Sequence, residues 1–301
     1  MAGLDEGEPL TTVGTPRFAV LGSPILHSRS PALHRAAYQV LGLKWRYEAH
    51  EVRSGELASF IDVLGPEWRG LSLTMPLKHE VLPLIDDLDR MAELTGAVNT
   101  VLITPPSHEG GARTLSGYNT DVAGLVRALT ENGVERPPHV TLLGAGATAT
   151  SALVAAAVLG AEGVDVIVRD PAKAMPLREL GRTLGLTVTV SALADLADAR
   201  PTSDLVISTL PGGSTLSGEF PPALRRSVPL FDVAYSPWPS ALATSWQASG
   251  GTVLSGLGML LHQALIQDRI FVAGDPLIPL EGETEVLAAM RGVLSRDPVE
   301  G

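Results

Sequence analysis

Residues 139–170 read HVTLLGAGATATSALVAAAVLGAEGVDVIVRD, and few architectures accommodate that order. An apolar run at 140–143 meets a glycine turn, an alanine-rich helix follows to about Gly160, and a second apolar run fills 164–168. Strand, turn, helix and strand in one compact stretch is the opening unit of a nucleotide-binding sheet. Gly144 permits the tight turn, Gly146 lets a pyrophosphate approach the backbone, and small Ala149 lets the helix pack close to its strand. The free amides at the start of that helix then face an anion. A lone GxGxxA also ends strands with no ligand involved. Here the flanking strand and helix select the dinucleotide reading.

The chain is 301 residues long, enough for two domains with ordinary cores. Its 33 acidic and 22 basic side chains leave a net charge of −11, so no overall field draws nucleic acid or an anionic membrane surface. An anionic ligand must find a local cluster of cations. With no cysteine, disulfides, thiolate nucleophiles and cysteine metal sites all drop out. The opening sixteen residues, MAGLDEGEPLTTVGTP, are acidic and lack a secretory pattern, and they are expected to form a mobile tail. No apolar run approaches the roughly 20 residues of a membrane helix. A cytoplasmic protein is the expectation.

Residues 17–21 (RFAVL) read as a strand entering the loop GSPILHSRS, with a helix from Pro31 for which Ser30 suits the N-cap. Residues 45–52 alternate as a second strand, 55–64 are helical, 70–73 form a third strand, and 76–85 read as helix. GAVNTVLI at 96–103 leads into a strand, PPSHEGGAR at 105–113 marks a hairpin tip, and 121–132 are helical with Gly133 just beyond. Pro137 and Pro138 make a linker. The first half thus repeats strand and helix without a glycine fingerprint, as an α/β substrate domain would. Strands at 187–190, 204–208, 229–234 and 252–254 extend the nucleotide unit into a doubly wound parallel sheet. Residues 256–273 and 283–294 read as two amphipathic helices that return to the first domain.

These residues resemble the shikimate dehydrogenase family over residues 17–272. The resemblance rests on HSRSPALH at 27–34, LTMPLK at 73–78, GAVNT at 96–100, GYNTD at 117–121, GAGATA at 144–149 and GLGMLLHQA at 256–264, in family order and spacing. It implies an NADP-linked oxidoreductase that reduces 3-dehydroshikimate to shikimate in aromatic amino acid biosynthesis. It further implies that Ser28 and Ser30 hold the substrate carboxylate, that Thr74, Asn99, Asp121 and Gln263 hold its hydroxyls, and that Tyr235 lies near it. Lys78 and Asp121 become the catalytic pair. Gly144, Ala145, Gly146, Ala147 and Thr148 would take the pyrophosphate, and Arg169 and Lys173 the ribose phosphate, with Asp170 between them. Val233 and Gly256 would meet the nicotinamide. The implied division is a substrate-binding catalytic domain of 1–121 plus 256–301 and an NADP-binding Rossmann domain of 122–255. A homodimer is the assembly expected.

Each residue also has a plainer reading. Ser30 suits a helix cap, whereas Ser28 has no capping role to explain it. A lysine on a first helical turn is commonly solvated; yet a carbonyl receiving hydride becomes an alkoxide, and an ammonium supplies charge and proton there. Asp121 would serve equally as a favourable charge at a helix start. Asn99 suits a turn and Gln263 a wet helix face, but a polyol is bound through several oriented hydrogen bonds, which amides provide in both senses. His27, His34 and His262 show neither metal-ligand spacing nor carboxylate company, and no metal is expected.

Three positions depart from the commoner family pattern: Ser72 where asparagine is frequent, Ala147 where glycine is, and Val168-Arg169-Asp170 after the second nucleotide strand. The last leaves cofactor choice contested, because a carboxylate there commonly binds the ribose hydroxyls of NAD. The alternatives are a quinate/shikimate dehydrogenase using NAD and a dinucleotide-binding regulator without chemistry.

Overall fold

A computed structural model describes residues 14–106, 108, 111–198, 203–216 and 218–296. Most of the expected tail, and part of the expected hairpin tip, lie outside the described residues. The first sheet contains β1 (Arg17–Gly22), β2 (Arg46–Glu51), β3 (Trp68–Leu73), β4 (Asp87–Leu88), β5 (Thr100–Thr104) and β6 (Thr114–Tyr118), in the order β2-β1-β3-β5-β6-β4. β1 pairs parallel with β2 and β3, while β5 runs antiparallel to β3 and β6. Helices α1 (Ser30–Val40), α2 (Leu57–Asp62), α3 (Leu77–Glu80), α4 (Arg90–Thr95) and α5 (Asp121–Glu131) accompany it.

The second sheet is parallel throughout. Its strands are β7 (His139–Leu143), β8 (Gly163–Val168), β9 (Thr187–Ala192), β10 (Leu205–Ser208), β11 (Leu230–Asp232) and β12 (Val253–Ser255), ordered β12-β11-β10-β7-β8-β9. The order reverses direction at β7, where the expected doubly wound sheet has its switch point. Helices α6 (Ala147–Val158), α7 (Met175–Thr183), α8 (Pro222–Ser227) and α9 (Ala241–Ala248) belong to this half. α6 buries Ala149 and Ser151–Ala156 between β7 and α5. Its small side chains allow that close approach.

The chain closes with α10 (Leu257–Ala273) and α11 (Glu283–Arg296). Both pack on α1, and their apolar residues join Phe18, Leu33 and Tyr38 in one cluster, so the expected return to the first sheet holds. α10 is not amphipathic, however: every residue from Leu261 to Phe271 is buried, because α5 covers the side that α1 and α11 leave open. Its polar residues therefore face protein.

Two local expectations also fail. The helix expected over 76–85 ends at Glu80 and gives way to a 3₁₀ turn at Leu82–Leu84, since Pro83 has no amide to continue the ladder. A helix missed in the sequence follows: Asp89 caps α4 through the Ala92 amide at 2.7 Å, and Gly96 ends it with φ +58°. Nor is Ser30 an N-cap. Arg29 occupies that position, Ser30 is already helical, and the Ser30 amide donates to Ser28 Oγ at 3.4 Å. The local bonding falls to Ser28 instead.

The histidines likewise have the carboxylate company that the sequence did not show. His34 Nδ1 lies 2.7 Å from Asp268 and His262 Nε2 lies 2.9 Å from Glu131, both across long sequence separations. Burial pulls the His262 imidazole below its ordinary value of 6.5, with Arg127 and Arg291 adding to the effect and Glu131 opposing it. A depressed folded value means that the unfolded chain binds the proton first. The stability it contributes is present above pH 6.5 and is lost as pH falls through the folded value. Urea midpoints should fall with acidification from that point, and His262→Gln should flatten the decline. An equal slope in both proteins removes His262 as its source.

Candidate active site

The loops at the ends of β3 and β6, the start of β5, and helix α10 converge on one point. Three backbone bonds fix it: Leu73 N–H to Asn99 O at 2.7 Å, Asn99 N–H to Tyr118 O at 3.0 Å, and Val98 N–H to Lys78 O at 2.9 Å. They bring Lys78 and Asp121, 43 positions apart in the sequence, to one place. Lys78, on the short first turn of α3, donates from Nζ to Asp121 Oδ2. Asp121 opens α5, and its other oxygen accepts from Asn99 Nδ2 at 2.7 Å. Both carboxylate oxygens are thus engaged, and the Lys78 and Asp121 side chains are 12% and 4% exposed. Lys78 thus lies on a first helical turn, as its sequence position predicts, but it is paired with Asp121 rather than solvated.

Asn99 is the hub. Its Nδ2 also reaches Thr120 Oγ1 at 2.9 Å and Gln263 Oε1 at 3.4 Å, while its Oδ1 accepts from the Thr120 amide at 2.9 Å and from Thr100 Oγ1 at 2.8 Å. Behind it lies a buried polar chain: Tyr47 OH donates to Ser72 Oγ at 2.7 Å, Ser72 to Gln267 Oε1 at 2.9 Å, and Gln267 Nε2 to Thr100 Oγ1 at 2.9 Å. Such a satisfied network holds one rotamer set. Ser72, the departure from the family's asparagine, is linked through Tyr47 and Gln267.

These groups open onto a cavity of about 410 Å³ between the two sheets. Ser28, Ser30, Thr74, Lys78, Asn99 and Asp121 line it from the first half of the chain, Gln263 from α10, and Thr148, Val233, Tyr235 and Gly256 from the second sheet and its connections. Every expected substrate residue is on this wall. Burial pushes the Tyr235 phenol up, with the Arg29 charge opposing the shift, so Tyr235 stays a neutral hydrogen-bonding group at neutral pH. The sequence reading noted Ser72 only as a departure from the family pattern and missed Thr209, Met259 and Gln267.

At the glycine turn, Gly144 has φ +110°, and a Cβ there would lie 2.4 Å from Thr209 Oγ1. Gly146, the N-cap of α6, faces open space on its Cβ side, and no side chain caps the helix or places an acid in its first turn. A dinucleotide's pyrophosphate fits this cradle. Gly144, Ala145 and Gly146 lie on the turn, Ala147 and Thr148 open α6, and of the five only Thr148 lines the cavity. Arg169, Asp170 and Lys173 are exposed beyond β8. Asp170 Oδ1 accepts from the Ala172 amide at 3.1 Å and caps a 3₁₀ turn over Pro171–Ala174, a structural duty the sequence did not reveal. Among the described residues no group of three histidine or acidic side chains is placed to hold a metal ion. No helix there is long and apolar enough to cross a membrane.

The profile of the shikimate dehydrogenase substrate-binding domain matches residues 20–101. The shikimate dehydrogenase (NADP(+)) of Methanothermobacter thermautotrophicus is 31% identical over 287 residues, covering 92% of this chain and 96% of its own. The crystal structure of Mycobacterium tuberculosis shikimate dehydrogenase matches with a TM-score of 0.78 at 36% identity, over 94% of this chain and all of that one. A quinate dehydrogenase of Corynebacterium glutamicum, solved in complex with NAD, has the same TM-score at 27% identity, over 94% and 99%.

Proposed function

Because the chain belongs to the shikimate dehydrogenase family, we propose that its cavity reduces 3-dehydroshikimate to shikimate, reversibly and with NADP as cofactor. The observation that carries this reading is the Lys78–Asp121–Asn99 chain inside a cavity walled by both halves. Ser28 and Ser30 receive the substrate carboxylate, while Thr74, Asn99 and Gln263 bind its hydroxyls and Tyr235 closes the far wall. Bound NADPH supplies the hydride. Lys78 Nζ holds a proton at the substrate's carbonyl oxygen and gives it up as negative charge develops there. Asp121 and Asn99 keep that nitrogen in line, and the slight exposure of Lys78 lets solvent return the proton.

Domain boundaries of 1–121 plus 256–301 and 122–255 are part of this proposal, supported by the separate sheets and by α10 and α11 packing on α1. So is the homodimer, which sedimentation equilibrium checks. A quinate dehydrogenase has the same fold; the relatives above 30% identity favour shikimate, and two serines leave no evident partner for quinate's extra hydroxyl. The intact catalytic pair argues against a regulator without chemistry. Nicotinamide absorbance with shikimate, quinate and each cofactor in turn tests the reading: turnover of quinate alone would overturn it.

For the cofactor, Gly144–Thr148 would hold the pyrophosphate, Arg169 and Lys173 the 2′-phosphate, and Val233 and Gly256 the nicotinamide end. A guanidinium meets phosphate with paired hydrogen bonds. Asp170 opposes it, but one of its oxygens is committed to the Ala172 amide. Arg169→Ala should narrow the NADP:NAD ratio of kcat/KM about 10-fold, the low end for a charged hydrogen bond at an exposed site, mainly through KM for NADP. Asp170→Thr should widen the ratio, less than Arg169→Ala narrows it. A wild type that prefers NAD would overturn the assignment.

A further inference from the structure

Asn119 belongs to neither the substrate set nor the catalytic pair, yet it is 3% exposed and bonded on every side. Its Oδ1 accepts from the Asp121 amide at 3.0 Å. Since an amide proton must meet an acceptor there, the orientation of the carboxamide is fixed, and its Nδ2 is the donor on the opposite side. Nδ2 donates to Thr95 Oγ1 at 2.8 Å, at the end of α4, and to Ser151 Oγ at 3.1 Å, on α6. Ser151, fully buried, donates in turn to Ala147 O at 3.3 Å. A continuous hydrogen-bonded path therefore runs from the first residue of the dinucleotide helix to the backbone of Asp121.

We propose that Asn119 is a positioning residue: with Ser151 it braces the first turn of α6 against the loop carrying Asp121, and so sets the hydride donor and the proton donor at a fixed separation. The inference rests on the function proposed above. α6 positions the cofactor and Asp121 positions Lys78, but the hydride and the proton must arrive on adjacent atoms of one substrate. Packing of alanines along α6 fixes how close the helix lies. It leaves sliding along the interface weakly opposed, and a directional hydrogen bond between buried groups supplies that restraint. Geometry at a reacting centre tolerates little error.

Ser151→Ala is the clean probe, because it keeps the shape of the site, leaves Asn119 its bond to Thr95, and touches neither Asp121 nor any cavity wall. Enzyme loaded with NADPH is mixed rapidly with 3-dehydroshikimate, and the first turnover is followed at the nicotinamide band. Ser151→Ala should transfer hydride roughly 10-fold more slowly per active site, with full amplitude and both KM values within about twofold of wild type. Asn119→Ala should be slower still, and adding Ser151→Ala to it should cost little more, since both cut one path. In the ligand-free protein, Ser151→Ala should also speed amide exchange at residues 119–122, to which Ser151 is hydrogen-bonded through the Asn119 side chain. A merely structural role would lower the melting temperature or the amplitude and leave the rate per site alone, and that result overturns the brace. So does unchanged exchange at 119–122. A wild type with no first turnover fails the proposed function instead, and the two failures are distinguishable.

Discussion

Lys78→Ala should lower kcat by roughly 10²-fold or more, the range of general acid catalysis, while KM for 3-dehydroshikimate changes far less. The asymmetry follows from where the ammonium acts: its bond to the substrate oxygen strengthens as that oxygen becomes an alkoxide, so most of its effect belongs to the transition state. The variant also leaves Asp121, buried and held by Asn99, without its cation. A buried carboxylate stripped of its partner destabilises the fold, so circular dichroism and melting must accompany the kinetics. Lys78→Arg separates the two effects. A guanidinium restores the charge beside Asp121 but does not surrender a proton, so this variant should recover stability and remain slow. Near-normal kcat in Lys78→Ala would remove the residue from the mechanism.

Gly256→Ala should damage the opposite end of the cavity. A Cβ on Gly256 would lie 2.0 Å from the Val233 carbonyl oxygen and 2.5 Å from its carbon. Those are backbone atoms, which no rotamer change moves aside. With φ at −63°, the position needs space rather than an unusual conformation. Either α10 or the segment after β11 must shift, and the bond from Gly256 N–H to Ala234 O at 3.4 Å goes with it. Overpacking of this kind destabilises by about 1–3 kcal/mol. Because Val233, Ala234 and Tyr235 line the cavity, KM for NADPH should rise as well. Urea unfolding and cofactor titration of the same preparation measure both effects; wild-type values in both would mean that the close approach is not required.

The two predictions differ in how far the sequence alone supports them. The strand, turn and helix around Gly144 were legible because every interaction that shapes them is local: apolar periodicity and glycine placement lie within one short window. Lys78 and Asp121 were legible through a resemblance whose motifs keep their spacing. The crowding at Gly256 was not, since it depends on how β11 meets α10. Nor was the company of His34, whose partners Gln267 and Asp268 lie 233 and 234 residues away. One signal could have found it. The run Gln267-Asp268-Arg269, like His262-Gln263 a turn earlier, interrupts a helix whose other residues are apolar or small, and polar groups buried in such a helix must have partners. Ser30 loses its expected cap role for a local reason: the helix begins one residue earlier than Pro31 suggests, Arg29 becomes the N-cap, and the Ser30 amide meets the Ser28 hydroxyl two residues back.

The late arrival of α10 has a consequence for the order in which a ribosome delivers the parts. Sheet β1–β6 leaves the exit tunnel first, but its core is closed by Leu261, Leu265 and Val286, and Gln263 is absent from the catalytic hub until the parallel sheet has been made in full. Until then His34 faces no carboxylate, and Asn99 has lost one of its neighbours. Contacts over such spans form slowly, because the intervening chain must be closed into a loop before they are made. A nascent chain can thus fold its nucleotide half while the substrate half waits for its lid, and a polypeptide that has not yet reached α10 lacks Gln263 at the hub.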